Sequence, residues 1–222
     1  YGITTPEQRA WAFRVKHLGK AVHAARFDQK TFEHGLADLH QFVTHESDVR
    51  RVPRLLADIG VRLVIVEHLP RSGIDGLTLW LDEEKPVVAL SLRYDRIDNF
   101  WFTLPHELDH VKHHDWESID ENLVGEKSTP TSEKPENEQR ADWAAAEFLV
   151  PHSELNDFIL RTRPLYSRTR VIQFANRIQV HPGIVVGQLQ RRGEISYANL
   201  RDLLVKVREA ITQHALTDGW GS

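Results

Sequence analysis

The chain has 222 residues, 41% of them hydrophobic and 27% charged, which is enough to bury a core as one domain or as one domain with a helical appendage. Having no cysteine, it has no disulfides, no Cys-ligated zinc and no thiol catalysis, a usage that fits a reducing cytoplasm. A net charge of -4 argues against non-specific binding to nucleic acid, and the apolar runs are too short to span a bilayer. Thirteen histidines are an unusual number, and histidine is the commonest side-chain metal ligand.

The predicted elements run as follows. After Pro6, Trp11, Val15, Leu18, Val22 and Ala25 recur at helical spacing, and Phe32, Leu36, Leu39 and Val43 repeat the pattern. Val49, Val52, Leu55, Leu56 and Ile59 predict a third helix that stops at Gly60, with Pro53 near its first turn. Short β-branched or alternating runs over 61–67, 76–81 and 87–92 predict a small sheet of three or four strands, with a hairpin-type connection at 82–86. From about Asp98 the helical period returns. The polar stretch 117–136, with Gly125, Pro130 and Pro135, reads as a long loop, and helices are expected at roughly 138–150, 152–162, 167–178, 182–190 and 195–215. The start carries no signal-type segment, and Tyr1 in place of Met is expected of a processed chain or a fragment.

His106, Glu107 and His110 form an HExxH pattern inside Leu104-Pro105-His106-Glu107-Leu108-Asp109-His110-Val111. On a helix, residues four apart are rotated by about 40° and displaced by about 6 Å, so both imidazoles can meet one Zn²⁺. Glu107, one step round, lies beside the ion as general base. A charged helix face with His and Glu paired in solvent is the plainer reading. Two histidines leave a zinc site incomplete. Glu138 and Asp142 share one edge of the next helix, which allows Glu138 to be a third ligand and Asp142 to fix a ligand imidazole through its other ring nitrogen. As a bare pair they also suit a solvated face. His114 continues the run of histidines, but a continuous helix carries it about 80° round and about 12 Å along from His106, out of reach of the same ion. His113, His152 and His181 read as satisfied surface or core histidines.

With these residues in place, the chain resembles the ImmA/IrrE family of metallo-endopeptidases over roughly 76–190. The resemblance rests on Phe100-Trp101-Phe102-Thr103-Leu104-Pro105-His106-Glu107-Leu108-Asp109-His110 and on Glu138-Gln139-Arg140-Ala141-Asp142 running on to Phe148-Leu149-Val150-Pro151. The stretch His181-Pro182-Gly183-Ile184-Val185-Val186-Gly187-Gln188-Leu189-Gln190 is similar to the C-terminal signature of members fused to HigA-like antitoxin regulators. The resemblance implies zinc on His106, His110 and Glu138, with Glu107 catalytic. The spacing from Glu138 to Asp142 is also similar to thermolysin-like gluzincins. Asp109 stands where the family usually has a small residue and adds a negative charge near the metal. Trp143 and Ala144 are a second departure, one that concerns packing.

The fold expected from all this is α+β: an N-terminal helical segment over 1–59, a metallopeptidase core with a small sheet over 60–165, and a C-terminal helical region over 166–222. The resemblance implies a protein substrate, a helix-turn-helix repressor, and a place in transcriptional, stress or toxin–antitoxin control in the cytoplasm, with no membrane partner. DNA would be reached only through a helix-turn-helix domain that 7–59 does not present and that could precede Tyr1. An extended substrate is expected to pair along the 76–81 strand as a sheet edge. His152, Tyr166, His181 and Tyr197 are candidate donors to the oxyanion. Two alternatives stand beside the peptidase. One is a catalytically weak metal-binding regulator. The other is a DNA- or protein-interaction module, whose best evidence is a helix-turn-helix-like run over 170–193 flanked by Arg168, Arg170, Arg177, Arg191 and Arg192.

Overall fold

The β-branched runs assemble into one mixed sheet of five strands: β1 (Arg62–Ile65), β2 (Ile74–Trp80), β3 (Pro86–Leu90), β4 (Glu117–Glu121) and β5 (Leu216–Thr217). The computed structural model describes residues 5–70, 72–126 and 128–219; Tyr1 and the last three positions of the C-terminal region lie outside these. The strand order is β4-β2-β3-β1-β5. β2 runs antiparallel to β3 and β4, while β1 runs parallel to β3 and β5. The α+β class is as expected, and the sheet is slightly larger than the three or four strands read from the sequence. β4 comes from the polar stretch read as loop. Its Glu-Ser-Ile-Asp-Glu run has a single apolar residue, and it becomes a strand through its ladder with β2, where Leu77 faces Ile119 and Thr78 faces Ser118.

Nine α-helices surround the sheet among the described residues: α1 (Pro6–Gly19), α2 (Gln29–Leu39), α3 (Val52–Asp58), α4 (Ile97–Lys112), α5 (Glu136–Leu149), α6 (His152–Thr162), α7 (Arg168–Arg177), α8 (Pro182–Arg191) and α9 (Arg208–Thr212). A capping box between Thr5 and Gln8 starts α1, which ends at Gly19, short of Val22 and Ala25. Pro53 sits in the first turn of α3, and Gly60, at φ 89°, ends that segment as expected. The helix expected over 195–215 is instead broken up. Leu200 takes a left-handed conformation, a 3₁₀ turn follows at Arg201–Leu203, and only α9 and β5 remain regular.

Strand alternation divides the core between the two sheet faces. Val64, Leu77, Leu79, Val87, Ala89 and Ile119 pack with Trp11 and Val15 of α1 on one side. Leu63, Ile65, Val88 and Leu90 face the larger cluster built with α2 to α9. The same alternation turns Gly76 and Thr78 of β2, and Ser118 and Asp120 of β4, toward that second face, where α4 lies. α4 is buried from Ile97 to Val111, so its polar residues must be satisfied from inside the protein. β2 is flanked on both sides, which corrects the expectation that the 76–81 strand is the edge; the edges are β4 and β5.

Candidate metal centre

α4 presents His106, Glu107 and His110 to the sheet and to α5, and none of the three has any exposed surface. The two Nε2 atoms lie 3.2 Å apart. Glu138, in the first turn of α5, reaches both, with Oε2 3.2 Å from His106 Nε2 and Oε1 3.5 Å from His110 Nε2. Asp120 enters from β4, its Oδ1 3.3 Å from His106 Nε2 and its Oδ2 3.9 Å from His110 Nε2. Donors held about 2.0–2.1 Å from a tetrahedral ion are about 3.3 Å from one another. Atoms of His106, His110, Asp120 and Glu138 all fall within 4.8 Å of one another, so these residues fit a divalent cation.

The outer faces of both imidazoles meet carboxylates. His110 Nδ1 donates to Asp115 Oδ2 at 2.7 Å. Asp142 Oδ1 lies 3.1 Å from His106 Nδ1, close enough for an ion pair. Asp142 also accepts from Thr131 Oγ1 at 2.7 Å, Lys134 Nζ at 2.9 Å and Arg191 at 3.2 Å. Burial works to raise the Asp142 carboxyl, but His106, Arg191 and Lys134 outweigh it and hold it well below the usual carboxylate range. Glu138 is likewise held far down, with burial opposed by hydrogen bonds from both histidines. For His106 burial alone would lower the imidazole, and the carboxylates of Asp120, Asp142 and Glu138 reverse this, pushing it well above its ordinary value.

Glu107 is held from β2. Thr78 Oγ1 donates to Glu107 Oε2 at 2.7 Å, while Oε1 has no hydrogen-bond partner. Burial first, and then the charge of Asp120, raise this carboxyl well above the ordinary glutamate value. Gly76 lies beneath it, and a Cβ there would come 2.0 Å from Oε1. Only glycine leaves room for the base in this position. Ser118 Oγ donates to Glu138 Oε1 at 2.8 Å, so both strands under the helix supply side chains to the centre.

All five residues singled out in the sequence, His106, Glu107, His110, Glu138 and Asp142, therefore meet in one place. Asp109, the departure inside the motif, accepts from Arg140 Nε at 2.7 Å, and Arg140 also donates to Asp115 at 2.7 Å. Its charge is paired across α4 and α5. His114, at φ 56°, turns the chain out of α4 and stacks on Trp80 at 4.8 Å. The candidate oxyanion donors are engaged elsewhere: His152 with Glu147, Tyr166 with Glu194, His181 as the N-cap of α8, and Tyr197 with the Gly125 carbonyl. α7 and α8 do form a helix–turn–helix. Yet α8 buries Ile184, Val185, Val186, Leu189 and Gln190, and Arg191 is spent on Asp142 and the Leu123 carbonyl. A helix in this position is not free to enter a groove.

Sequence reading missed Asp120, Ser118, Thr78, Gly76 and Asp115. The first two sit in the stretch taken for loop, where the Ser118-Ile119-Asp120 alternation was the available signal. A family model described as Peptidase_M78, IrrE N-terminal-like domain, matches residues 59–190, more than half of the chain and every residue of the centre. The chain matched none of the curated proteins with which it was compared.

Proposed function

Since the chain belongs to the Peptidase_M78 family, of the IrrE N-terminal-like type, which is a family of metallopeptidases, we propose that it is a zinc-dependent endopeptidase acting on a regulatory protein. The observation that carries this reading is the convergence of His106, His110 and Glu138 at 3.2–3.5 Å beside a glutamate whose Oε1 is unpaired.

His106, His110 and Glu138 would hold the ion, with Asp142 and Asp115 behind the two imidazoles. When bound, the ion supplies Lewis-acid polarisation of the scissile carbonyl and of the attacking water. Glu107 does the proton work. Thr78 fixes Oε2, leaving Oε1 to take the proton of the attacking water and to deliver it to the leaving amine nitrogen. Because Gly76 gives this carboxylate its place on the sheet, the base is oriented before substrate arrives. The free strand edge nearest the centre is that of β4, so an extended substrate is best placed to add there through backbone hydrogen bonds.

The substrate we infer is a helix-turn-helix repressor, which would tie cleavage to transcriptional or stress control; the 181–190 stretch, read as a HigA-like signature, supports a toxin–antitoxin setting. The absence of cysteine supports a cytoplasmic site of action. No helix among the described residues is long and apolar enough to cross a membrane. The test is Glu107→Gln beside the wild type and His110→Ala. Glu107→Gln should bind zinc as the wild type does and cut none of the repressors the wild type cuts, while His110→Ala should lose the zinc. Equal cleavage by wild type and Glu107→Gln would sink the assignment.

A further inference from the structure

A catalytic zinc site keeps one coordination position open for water or substrate, whereas a structural site closes with four protein ligands. Four protein groups converge here, and the fourth, Asp120, stands apart from the rest. It comes from an edge strand and not from α4 or α5. It is 3% exposed, and its Oδ2 makes no hydrogen bond. Its Oδ1 lies against His106 at 3.3 Å, so it is the orphaned Oδ2 that a bound cation would satisfy. Its neighbours His106, Glu107, His110 and Glu138 have no exposed surface, so nothing in this arrangement lets a peptide carbonyl in.

β4 is also an edge strand of the sheet, held by β2 on one side. Its ladder with β2 is irregular beside Asp120: Gly76 pairs with Asp120 and Ile74 with Glu121, leaving Asp75 as an extra residue on β2. Bulges of this kind re-aim side chains next to active sites. The Asp75 carboxylate accepts from the backbone N–H groups of Leu123 and Val124 at 2.7 and 3.3 Å, and from Arg93. The chain directly after β4 is anchored by that carboxylate together with Arg93 on Asn122 Oδ1 at 3.2 Å and Arg191 on the Leu123 carbonyl at 2.8 Å. On its outer side β4 has no strand partner among the described residues.

We propose that Asp120 is a displaceable fourth protein ligand that closes the metal centre at rest, and that a substrate strand pairing with β4 draws it away. This rests on the metallopeptidase reading and makes the resting enzyme latent. Asp120 occupies the side of the cluster from which a substrate carbonyl or water would reach the ion, so its displacement would open that position.

The test uses the whole chain loaded with Co²⁺, whose visible spectrum reports coordination, titrated with acetohydroxamate, a small chelating anion that needs an open position. The wild type should be unresponsive up to millimolar hydroxamate. Asp120→Asn and Asp120→Ser should respond at concentrations at least tenfold lower, and should also bind zinc at least tenfold more weakly in competition with a chelator. Two variants of different size guard against a failure of one to fold, monitored by near-UV circular dichroism. A wild type that responds at micromolar hydroxamate, or folded variants with the wild-type spectrum and titration, would overturn the proposal. A wild type that takes up neither Co²⁺ nor zinc removes the metallopeptidase reading as well. Uptake that depends on His110 but is indifferent to Asp120 removes this inference alone.

Discussion

Asp115 accepts the Nδ1 hydrogen of His110 at 2.7 Å from just beyond the turn that ends α4. A carboxylate on Nδ1 orients the ring, so that the Nε2 lone pair would be free for an ion held between His110, His106 and Glu138. Burial tends to raise Asp115, but His110 and Arg140 outweigh it, so the carboxyl lies below its ordinary value and stays ionised at neutral pH. Asp115→Ala should lower zinc affinity by about 10–100-fold with the fold intact. Arg140→Met, one bond further out, should cost less. Competition against a chromophoric chelator measures both; an unchanged affinity in Asp115→Ala would mean that the pair is ornamental.

Gly76 sets the place of the base. A methyl group there would lie 2.0 Å from Glu107 Oε1 and 2.8 Å from its Cδ, so Gly76→Ala forces the carboxylate off the strand. The strain should destabilise the protein by about 1–3 kcal/mol, as overpacking does. Cleavage should fall by roughly 10²-fold or more through misplacement of the base. Zinc content should be unchanged, because neither histidine is touched. Urea unfolding, metal analysis and a cleavage assay on the same preparation separate these effects. Loss of zinc in Gly76→Ala would contradict the account.

The α4 and α5 half of the centre was legible in the sequence because helical spacing is a local rule: His106, His110, Glu138 and Asp142 each stand where the period puts them. The sheet half was not. Asp120 and Ser118 lie on a strand with one apolar residue, and only pairing with β2 makes it a strand. Asp115 is brought to His110 by the left-handed turn at His114, a tertiary detail with no periodic trace. Asp109 looked like an unexplained charge because its partner, Arg140, is 31 residues away. The 195–215 stretch has helical spacing, yet the left-handed Leu200 and the parallel pairing of Leu216 with Val64 break it into pieces.

Removing the ion should weaken the fold. Without a cation, Glu107, Asp120, Glu138 and Asp142 crowd one buried space with His106, Lys134 and Arg191. At 100 times the dissociation constant, zinc contributes about 2.7 kcal/mol. For a chain of this size that corresponds to a midpoint shift of roughly 5–10 °C. Calorimetry with zinc and with excess chelator should show this difference in the wild type and lose it in Glu138→Ala. A melting temperature indifferent to chelation of the zinc-loaded protein would count against the centre.

His181 gives the fold a pH dependence independent of the metal. As N-cap of α8, its Nδ1 accepts from the Gly183 N–H at 3.0 Å, which only a neutral imidazole can do. Burial lowers this histidine below its ordinary value, against the pull of Glu46 and with some help from His45. The unfolded chain therefore binds the proton more readily than the folded one. Stability from this group is fully present above about pH 6.5 and declines as the pH falls toward the folded value. His181→Asn keeps an accepting oxygen and removes the titration. Its urea midpoint should move less than that of the wild type between pH 7.5 and 5.5, in zinc-free buffer so that the ligand histidines contribute equally to both. Equal shifts in the two proteins would show that the cap does not titrate.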